Sequence, residues 1–182
     1  MDDYKIVPLG KNHISDAKDL VNTVFPSQSP IEKVKLRLFE NNKRLFVRFL
    51  LVLLGMELIN YWIALSGQNK VLAISGLYRR RKDKNEALWL GWFAVHPEAR
   101  GRNIGGAMLK YAISQAESLG ASFLRLYTTD SERIKGAADA QKVYEHYGFS
   151  IKSSRKVFGG LIINTGGINI LKENYIVREK PL

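Results

Sequence analysis

The sequence predicts an α/β fold: a mixed, mostly antiparallel central sheet of about six to seven strands, flanked by helices. Three observations carry this expectation. An apolar, strand-like run, Leu88-Trp89-Leu90-Gly91-Trp92-Phe93-Ala94-Val95, passes through a short basic loop with glycines into a helical run from Ala107 to Leu119, closed by Gly120. Upstream, Asn60 to Leu65 and Val71 to Tyr78 are joined by Ser66-Gly67-Gln68-Asn69-Lys70, a hairpin signal. Amphipathic helical patterns precede and follow these strands, and each needs a sheet or another helix to cover its apolar face.

The elements follow in order. Tyr4-Lys5-Ile6-Val7-Pro8 alternates as a short strand does. His13 to Phe25 places Ile14, Ala17, Val21 and Val24 at helical spacing before Pro26. Ser29-Pro30-Ile31-Glu32 reads as a capping box with proline at the first helical position. It opens a helix with Ile31, Val34 and Leu38 on one face, interrupted at Asn41-Asn42. Lys43 to Leu54 is a second, very apolar helical piece that ends at Gly55. After the hairpin, Arg79-Arg80-Arg81-Lys82-Asp83-Lys84-Asn85 reads as a charged, solvated turn, with the steering of an acidic ligand as its functional alternative.

Glu86 to Val95 is the central strand, and Gly91 inside it signals a bulge or a close backbone approach. The helix that follows carries Ile104, Met108, Ala112, Ala116 and Leu119 on one face. Phe123 to Thr128 is the next strand. Thr129 to Gly136 is an acidic-basic loop. Ala137, Ala140, Val143, Tyr144 and Tyr147 mark an amphipathic helix ending at Gly148. Phe149 to Lys156 and Asn174 to Lys180 read as the last two strands. Between them Val157 to Glu173, with Gly159-Gly160 and Gly166-Gly167, reads as an irregular segment longer than an ordinary hairpin loop, which marks it for function or an interface. No repeat or linker divides the chain, so residues 1–182 are expected to form a single domain.

Composition narrows the chemistry. With no cysteine among 182 residues, disulfides, thiolate nucleophiles and cysteine-ligated zinc are excluded together. His13, His96 and His146 lack metal-ligand spacing, so no metal is expected. The net charge of +11 attracts polyanions, yet no nucleic-acid-binding motif accompanies it. The start, Met1-Asp2-Asp3-Tyr4, is acidic and lacks the apolar run of a leader. The most apolar stretch, Leu45 to Leu65, is interrupted by Arg48, Gly55, Glu57 and Asn60, so it reads as buried helix plus strand and not as a membrane span. A cytoplasmic protein with no membrane partner is the expectation. The oligomeric state, a homodimer included, is left open.

The chemistry concentrates at Arg100-Gly101-Arg102-Asn103-Ile104-Gly105-Gly106. A strand, a glycine-containing basic loop and a helix start make an anion site, because the first N–H groups of a helix have no intrahelical acceptor. Gly101, Gly105 and Gly106 lack a Cβ, so a phosphate can approach the backbone, and Arg100 and Arg102 add charge-assisted donors. The spacing Gly-x-x-x-Gly-Gly is neither Gly-x-Gly-x-x-Gly nor a loop followed by Gly-Lys-Ser/Thr, which disfavours a dinucleotide fold and a P-loop nucleotidase.

This loop resembles the acyl-CoA pyrophosphate loop of the GNAT superfamily of N-acetyltransferases, Arg/Gln-x-x-Gly-x-Gly/Ala. Arg100, Ile104 and Gly105 match, and Asn103 stands where the first glycine is usual; asparagine tolerates unusual backbone angles better than most residues. Val95-His96-Pro97-Glu98 is similar to the family's strand-to-loop junction, and Val143-Tyr144-Glu145-His146-Tyr147-Gly148-Phe149 to a later motif, so the resemblance spans most of the chain.

The resemblance implies a GNAT-like sheet and acyl transfer from acetyl-CoA, the co-substrate, to a primary amine by direct attack in a ternary complex. It implies that the central strand bulges and splays from the next one, with the pantetheine arm held by backbone groups at Phe93, Ala94 and Val95. One N–H there would polarise the thioester carbonyl, where an oxyanion develops. It further implies that Tyr144 is the acid that protonates the departing thiolate. The family often has asparagine seven positions before that tyrosine, contacting the cofactor, and here that position is Ala137. The helices from Ile31 to Leu54 and the segment from Val157 to Glu173 are expected to flank the acceptor end of the groove. No residue is singled out as the base: Glu86, Asp130, Glu132 and a water relay are the candidates. A non-catalytic acyl-CoA-binding module and a basic nucleic-acid-associated protein are the other classes. The sequence does not name the acceptor or the acyl chain length.

Overall fold

A computed structural model describes residues 4–25, 49, 51–53, 55–83, 86–129, 137–164 and 167–182. It holds seven strands in a mostly antiparallel sheet together with helices, as the sequence predicts. The residues fall into two compact units, Met1–Leu124 with Leu182, and Arg125–Pro181.

In the first unit the strands β1 (Tyr4–Pro8), β2 (Met56–Ser66), β3 (Val71–Arg80) and β4 (Ala87–Val95) lie in that order, each antiparallel to its neighbour. Side chains alternate across the sheet, so Tyr61 and Ile63 face one side and Trp62 the other. On the first side α1 (Ile14–Val24) seats Ile14, Ala17, Leu20 and Val21 against Tyr61, Ile63, Ile74, Trp92 and Ala94. On the second side α2 (Ile104–Ser118) buries Ile104, Met108, Leu109, Ala112 and Ala116, and its Tyr111 meets Trp62 edge-on at 5.5 Å. The apolar periodicity of both helices is thus spent on opposite faces of one sheet.

The β3–β4 ladder is irregular where it matters. Gly76 pairs with Gly91 and Ile74 with Ala94, so β4 carries one residue more than β3 over this stretch. An extra residue leaves part of the ladder unpaired and bends the strand. The same glycines explain a second feature. The Tyr61 ring lies so close over β3 and β4 that a Cβ on Gly76 would come within 2.3 Å of it, and one on Gly91 within 2.7 Å of its hydroxyl. Gly91 therefore marks both of the alternatives that its place in a strand suggests.

Arg79 and Arg80 are not part of a turn: they close β3, Arg81–Asp83 form a short 3-10 turn, and residues 84–85 lie outside the described residues. Arg79 bonds Glu57 across β2 at 2.9 Å, and the Arg80 guanidinium lies 4.9 Å over the Trp89 ring. Long arginine stems cover apolar neighbours while keeping their charge near water, so a basic run can continue a strand.

In the second unit the strand order is β5-β7-β6, with β5 (Phe123–Thr129), β6 (Ser150–Asn164) and β7 (Gly167–Pro181); the first two residues of β5 belong to the first unit. Among the described residues, the segment from Val157 to Glu173 is not irregular. It continues β6 and β7 as a long antiparallel hairpin, registered from Ser150↔Glu179 through Val157↔Glu173 to Asn164↔Gly167. Its two glycine pairs look like breakers, yet the runs Leu161-Ile162-Ile163 and Ile168-Asn169-Ile170 supply the β-branched content that a strand needs. The register slips twice, between Ile151 and Ser153 and between Phe158 and Gly160, so Gly159 falls at a bulge. The capping box at 29–32 and most of the helix expected up to Leu54 lie outside the described residues, as does the loop 130–136.

Candidate active site

The anion loop is built within the first unit. β4 ends as the His96 N–H donates to the Leu72 carbonyl at 2.8 Å, which ties the loop to β3. Pro97–Ala99 form a single 3-10 turn, and the His96 Nδ1 accepts from the Glu98 N–H at 3.3 Å. Gly101 then takes φ +77°, and Asn103 takes φ 57° and ψ 14°, both left-handed. Asparagine at the family's glycine position is accommodated for a physical reason: it enters that region more readily than most residues.

Asn103 precedes the first helical residue but makes no side-chain cap bond. The first bond of α2 runs from the Ala107 N–H to the Asn103 carbonyl at 3.1 Å. The N–H groups of Ile104, Gly105 and Gly106 therefore emerge from the helix end with no intrahelical acceptor. Arg100, Gly101, Arg102 and Asn103 are exposed around them, whereas Ile104 is buried and anchors the first turn. Gly105 has a steric task as well. A Cβ there would stand 3.3 Å from Val95 Cγ2 and 3.8 Å from Phe93 Cζ, so the glycine lets the helix start close against the end of β4. Free N–H donors, a positive helix end and two arginines suit a phosphate group.

Phe93, Ala94 and Val95 are the last residues of β4, and the extra residue of the β3–β4 ladder falls between Gly91 and Ala94. Ala94 points into the α1 core, while Phe93 and Val95 face the start of α2. Nine residues of the sequence reading, Phe93 to Val95 and Arg100 to Gly105, thus come together in one unit with Gly106 on the same helical turn.

Lys70 and Glu98 belong to the same neighbourhood and are not singled out by sequence. A cavity of about 450 Å³ beside the loop is lined by Gln68, Lys70, His96, Glu98 and Arg102, among others. Lys70 Nζ meets Glu98 Oε2 at 3.0 Å. The hydrogen bond and charge of Lys70 hold the Glu98 carboxyl below the usual carboxylate range. The two residues stand 28 positions apart, and only the antiparallel β3–β4 pairing brings them together.

Tyr144 lies in the second unit, on α3 (Ala137–His146). It is 6% exposed and packs edge-on to Phe149 at 6.0 Å. Burial pushes its phenol well above the ordinary range, against the opposing charge of Arg178. The phenol keeps its proton at neutral pH, as an ordinary tyrosine does, and burial makes it a weaker donor. Of the base candidates, Glu86 is exposed and its backbone carbonyl accepts from the Ser122 and Phe123 N–H groups; Asp130 and Glu132 lie outside the described residues. Among the described residues no cluster of histidine and carboxylate side chains could hold a metal, and no helix is long and apolar enough to cross a membrane.

Comparison with known proteins agrees with this fold. The chain is similar in structure to the ribosomal-protein-S18-alanine N-acetyltransferase of Escherichia coli, with a TM-score of 0.67 at 17% identity over 98% of this chain and 93% of that one. It is similar to a GNAT family acetyltransferase of Elizabethkingia anophelis solved with acetyl-CoA bound, with a TM-score of 0.62 at 20% identity over 100% of both chains. It is also similar to an N-acetyltransferase of Staphylococcus aureus Mu50, with a TM-score of 0.70 at 14% identity over 98% of both. At such identities these likenesses speak for the fold. No curated protein matches the sequence. The acetyltransferase (GNAT) domain family matches residues 57–151, which hold β2 to β4, the anion loop, α2, β5 and α3. With just over half of its residues in that match, the chain belongs to the GNAT acetyltransferase family.

Proposed function

We propose that the protein transfers the acetyl group of acetyl-CoA to a primary amine by direct attack, with residues 1–182 working as one catalytic domain. One observation carries the reading: a bulged β4 leads through a left-handed loop into a helix start whose N–H groups are free to bind phosphate. The acetyl-CoA bound to the Elizabethkingia relative supports the choice of donor. The residues present fit its pyrophosphate. Gly105 leaves room where any Cβ would crowd Val95, and Arg100 and Arg102 stand exposed beside the helix end.

The amine nitrogen attacks the thioester carbon, and backbone groups at Phe93 to Val95 hold the carbonyl as its oxygen gains charge. The C–N bond forms, the C–S bond breaks, and the thiolate takes a proton from the Tyr144 phenol. Solvent then returns a proton to the tyrosine. The attacking amine loses its own proton to a base or to water. No covalent enzyme intermediate is needed, in keeping with a chain that has no cysteine.

The test is thiol release from acetyl-CoA with a panel of amines: spermidine, an alanine-terminated peptide, an aminoglycoside and free amino acids. The alanine peptide is included because the Escherichia coli relative acts on an alanine of a ribosomal protein. An amine that accelerates thiol release supports the reading, and saturable acetyl-CoA binding with no active amine favours a binding module. With an active amine, Tyr144→Phe is expected to lower kcat by roughly ten- to ten-thousand-fold at nearly constant KM for acetyl-CoA. An unchanged kcat, with chemistry shown to be rate-limiting, removes Tyr144 from the mechanism.

A further inference from the structure

Arg178 is a buried charge in β7 that no sequence motif marks. It is 3% exposed, and arginine is seldom so deeply buried without a full set of partners. Its Nε donates to Gln141 Oε1 at 2.6 Å, its Nη2 to Glu145 Oε1 at 2.7 Å, and its Nη1 to the Phe149 carbonyl at 3.1 Å. Gln141 and Glu145 are one helical turn apart on α3, and Tyr144 lies between them in the chain. Phe149 is the ring against which Tyr144 packs, and its N–H donates to the Tyr144 carbonyl at 2.9 Å. Gln141 extends the network, because its Nε2 donates to Thr128 Oγ1 and to the Thr129 carbonyl, both at 2.8 Å, at the end of β5. One guanidinium thus ties the turn that carries Tyr144 to β7 and, through Gln141, to β5. All of these groups belong to the second unit.

We propose that Arg178 is the positioning residue for Tyr144: its three-pronged grip on Gln141, Glu145 and the Phe149 carbonyl sets the place of the phenol. This rests on the reading of Tyr144 as the acid. A planar, always-charged fork suits the task, because its donors are locked relative to one another, whereas a lysine supplies one mobile charge. Packing alone would not require this chemistry: a strand could hold a helix with apolar side chains, which often match or exceed a buried ionic network in stability. A displacement of an acid by about 1 Å is enough to cost a large factor in rate.

The experiment compares wild type, Arg178→Met, Arg178→Lys, Tyr144→Phe and the double variant Tyr144→Phe/Arg178→Met. Each is the full chain assayed for thiol release from acetyl-CoA with hydroxylamine as the probe amine. Hydroxylamine is largely unprotonated at neutral pH, so it reports departure of the thiolate with little demand for a base. Arg178→Met is expected to lower kcat by roughly tenfold or more with the KM for acetyl-CoA held within about twofold, and Arg178→Lys to recover part of the loss. In the Tyr144→Phe background Arg178→Met should produce no further fall, since the two act through one group. Should Arg178→Met fail to fold, Glu145→Gln carries the same test: a smaller fall in kcat in the wild-type background and none beside Tyr144→Phe. A full additional fall in the double variant, or an unchanged kcat in folded Arg178→Met, overturns the inference and leaves Tyr144 standing. An unchanged kcat in Tyr144→Phe, or no enzyme-dependent thiol release, overturns both.

Discussion

Gly105 shows how much one residue can be asked to do. It must let α2 begin against β4, where any Cβ would stand 3.3 Å from Val95, and it must leave a backbone N–H open at the helix end. Both demands exclude a side chain, for different reasons. A ligand that binds only the folded protein stabilises it by mass action, by about 2.7 kcal/mol at one hundred times Kd. For a chain of this size that is a rise in Tm of about 5–10 °C. Acetyl-CoA is expected to produce such a rise in the wild type and none in Gly105→Glu, whose carboxylate would compete for the phosphate's donors. Differential scanning fluorimetry checks this, with circular dichroism to show that the variant is folded. A folded Gly105→Glu with the full rise would move the binding site away from the loop. Asn103 makes the complementary point: it adopts left-handed angles, which asparagine enters more readily than most residues and glycine without strain.

At the scale of elements, β4 is shaped by β2 as much as by its own sequence. Tyr61 lies across the paired glycines Gly76 and Gly91, and the extra residue of β4 follows immediately. A methyl group at Gly76 would fall within 2.3–2.7 Å of three atoms of the Tyr61 ring. Overpacking of this kind typically costs about 1–3 kcal/mol. Gly76→Ala is expected to lower the free energy of unfolding by that amount in urea, and Tyr61→Leu combined with it to give back part of the loss. If Gly76→Ala proves neutral, the ring is not held in the slot. The same variant should weaken acetyl-CoA binding more than its distance from the loop suggests, because the pairing of Gly76 with Gly91 borders the bulge.

For the molecule as a whole, the hairpin β6–β7 is set apart by its length. Its register runs from Ser150↔Glu179 out to Asn164↔Gly167. We assign acceptor selection to its outer half, Val157 to Glu173, on the family resemblance and on the general habit of functional variation to sit on appendages of a rigid scaffold. Joining Val157 to Glu173 through an Asn-Gly turn, which suits a two-residue hairpin, should leave the acetyl-CoA-induced rise in Tm intact while lowering amine turnover sharply. Acceptor kinetics equal to wild type in the folded, shortened protein would end that assignment. The contrast is informative because the residues proposed to hold the co-substrate pyrophosphate all lie in the first unit.

Much of this was legible in the chain itself. Strand alternation, helical spacing and the glycine-rich basic loop are local patterns, and local patterns are set by backbone geometry over a few residues. They gave β1 to β5, α1, α2 and α3 to within a few residues, the anion loop, and the position of Tyr144 on its helix. The outer hairpin was misread because paired glycines signal a break locally, whereas pairing with a partner strand supplies the hydrogen bonds that keep such residues extended. Arg79 and Arg80 were misread for the same reason: a charged run looks solvated until a tryptophan on the neighbouring strand gives one of the arginines a surface to cover. The Tyr61 slot, the Lys70–Glu98 pair and the Arg178 network join residues 12 to 37 positions apart, so no short window of sequence contains them. The sequence by itself determined most of the strands and helices and the loop proposed to hold a phosphate. The tertiary structure alone decided that the Tyr61 ring would lie over Gly76 and Gly91 and which buried charge would grip the helix of Tyr144, because both depend on contacts between strands and helices that only chain folding brings within a few ångströms.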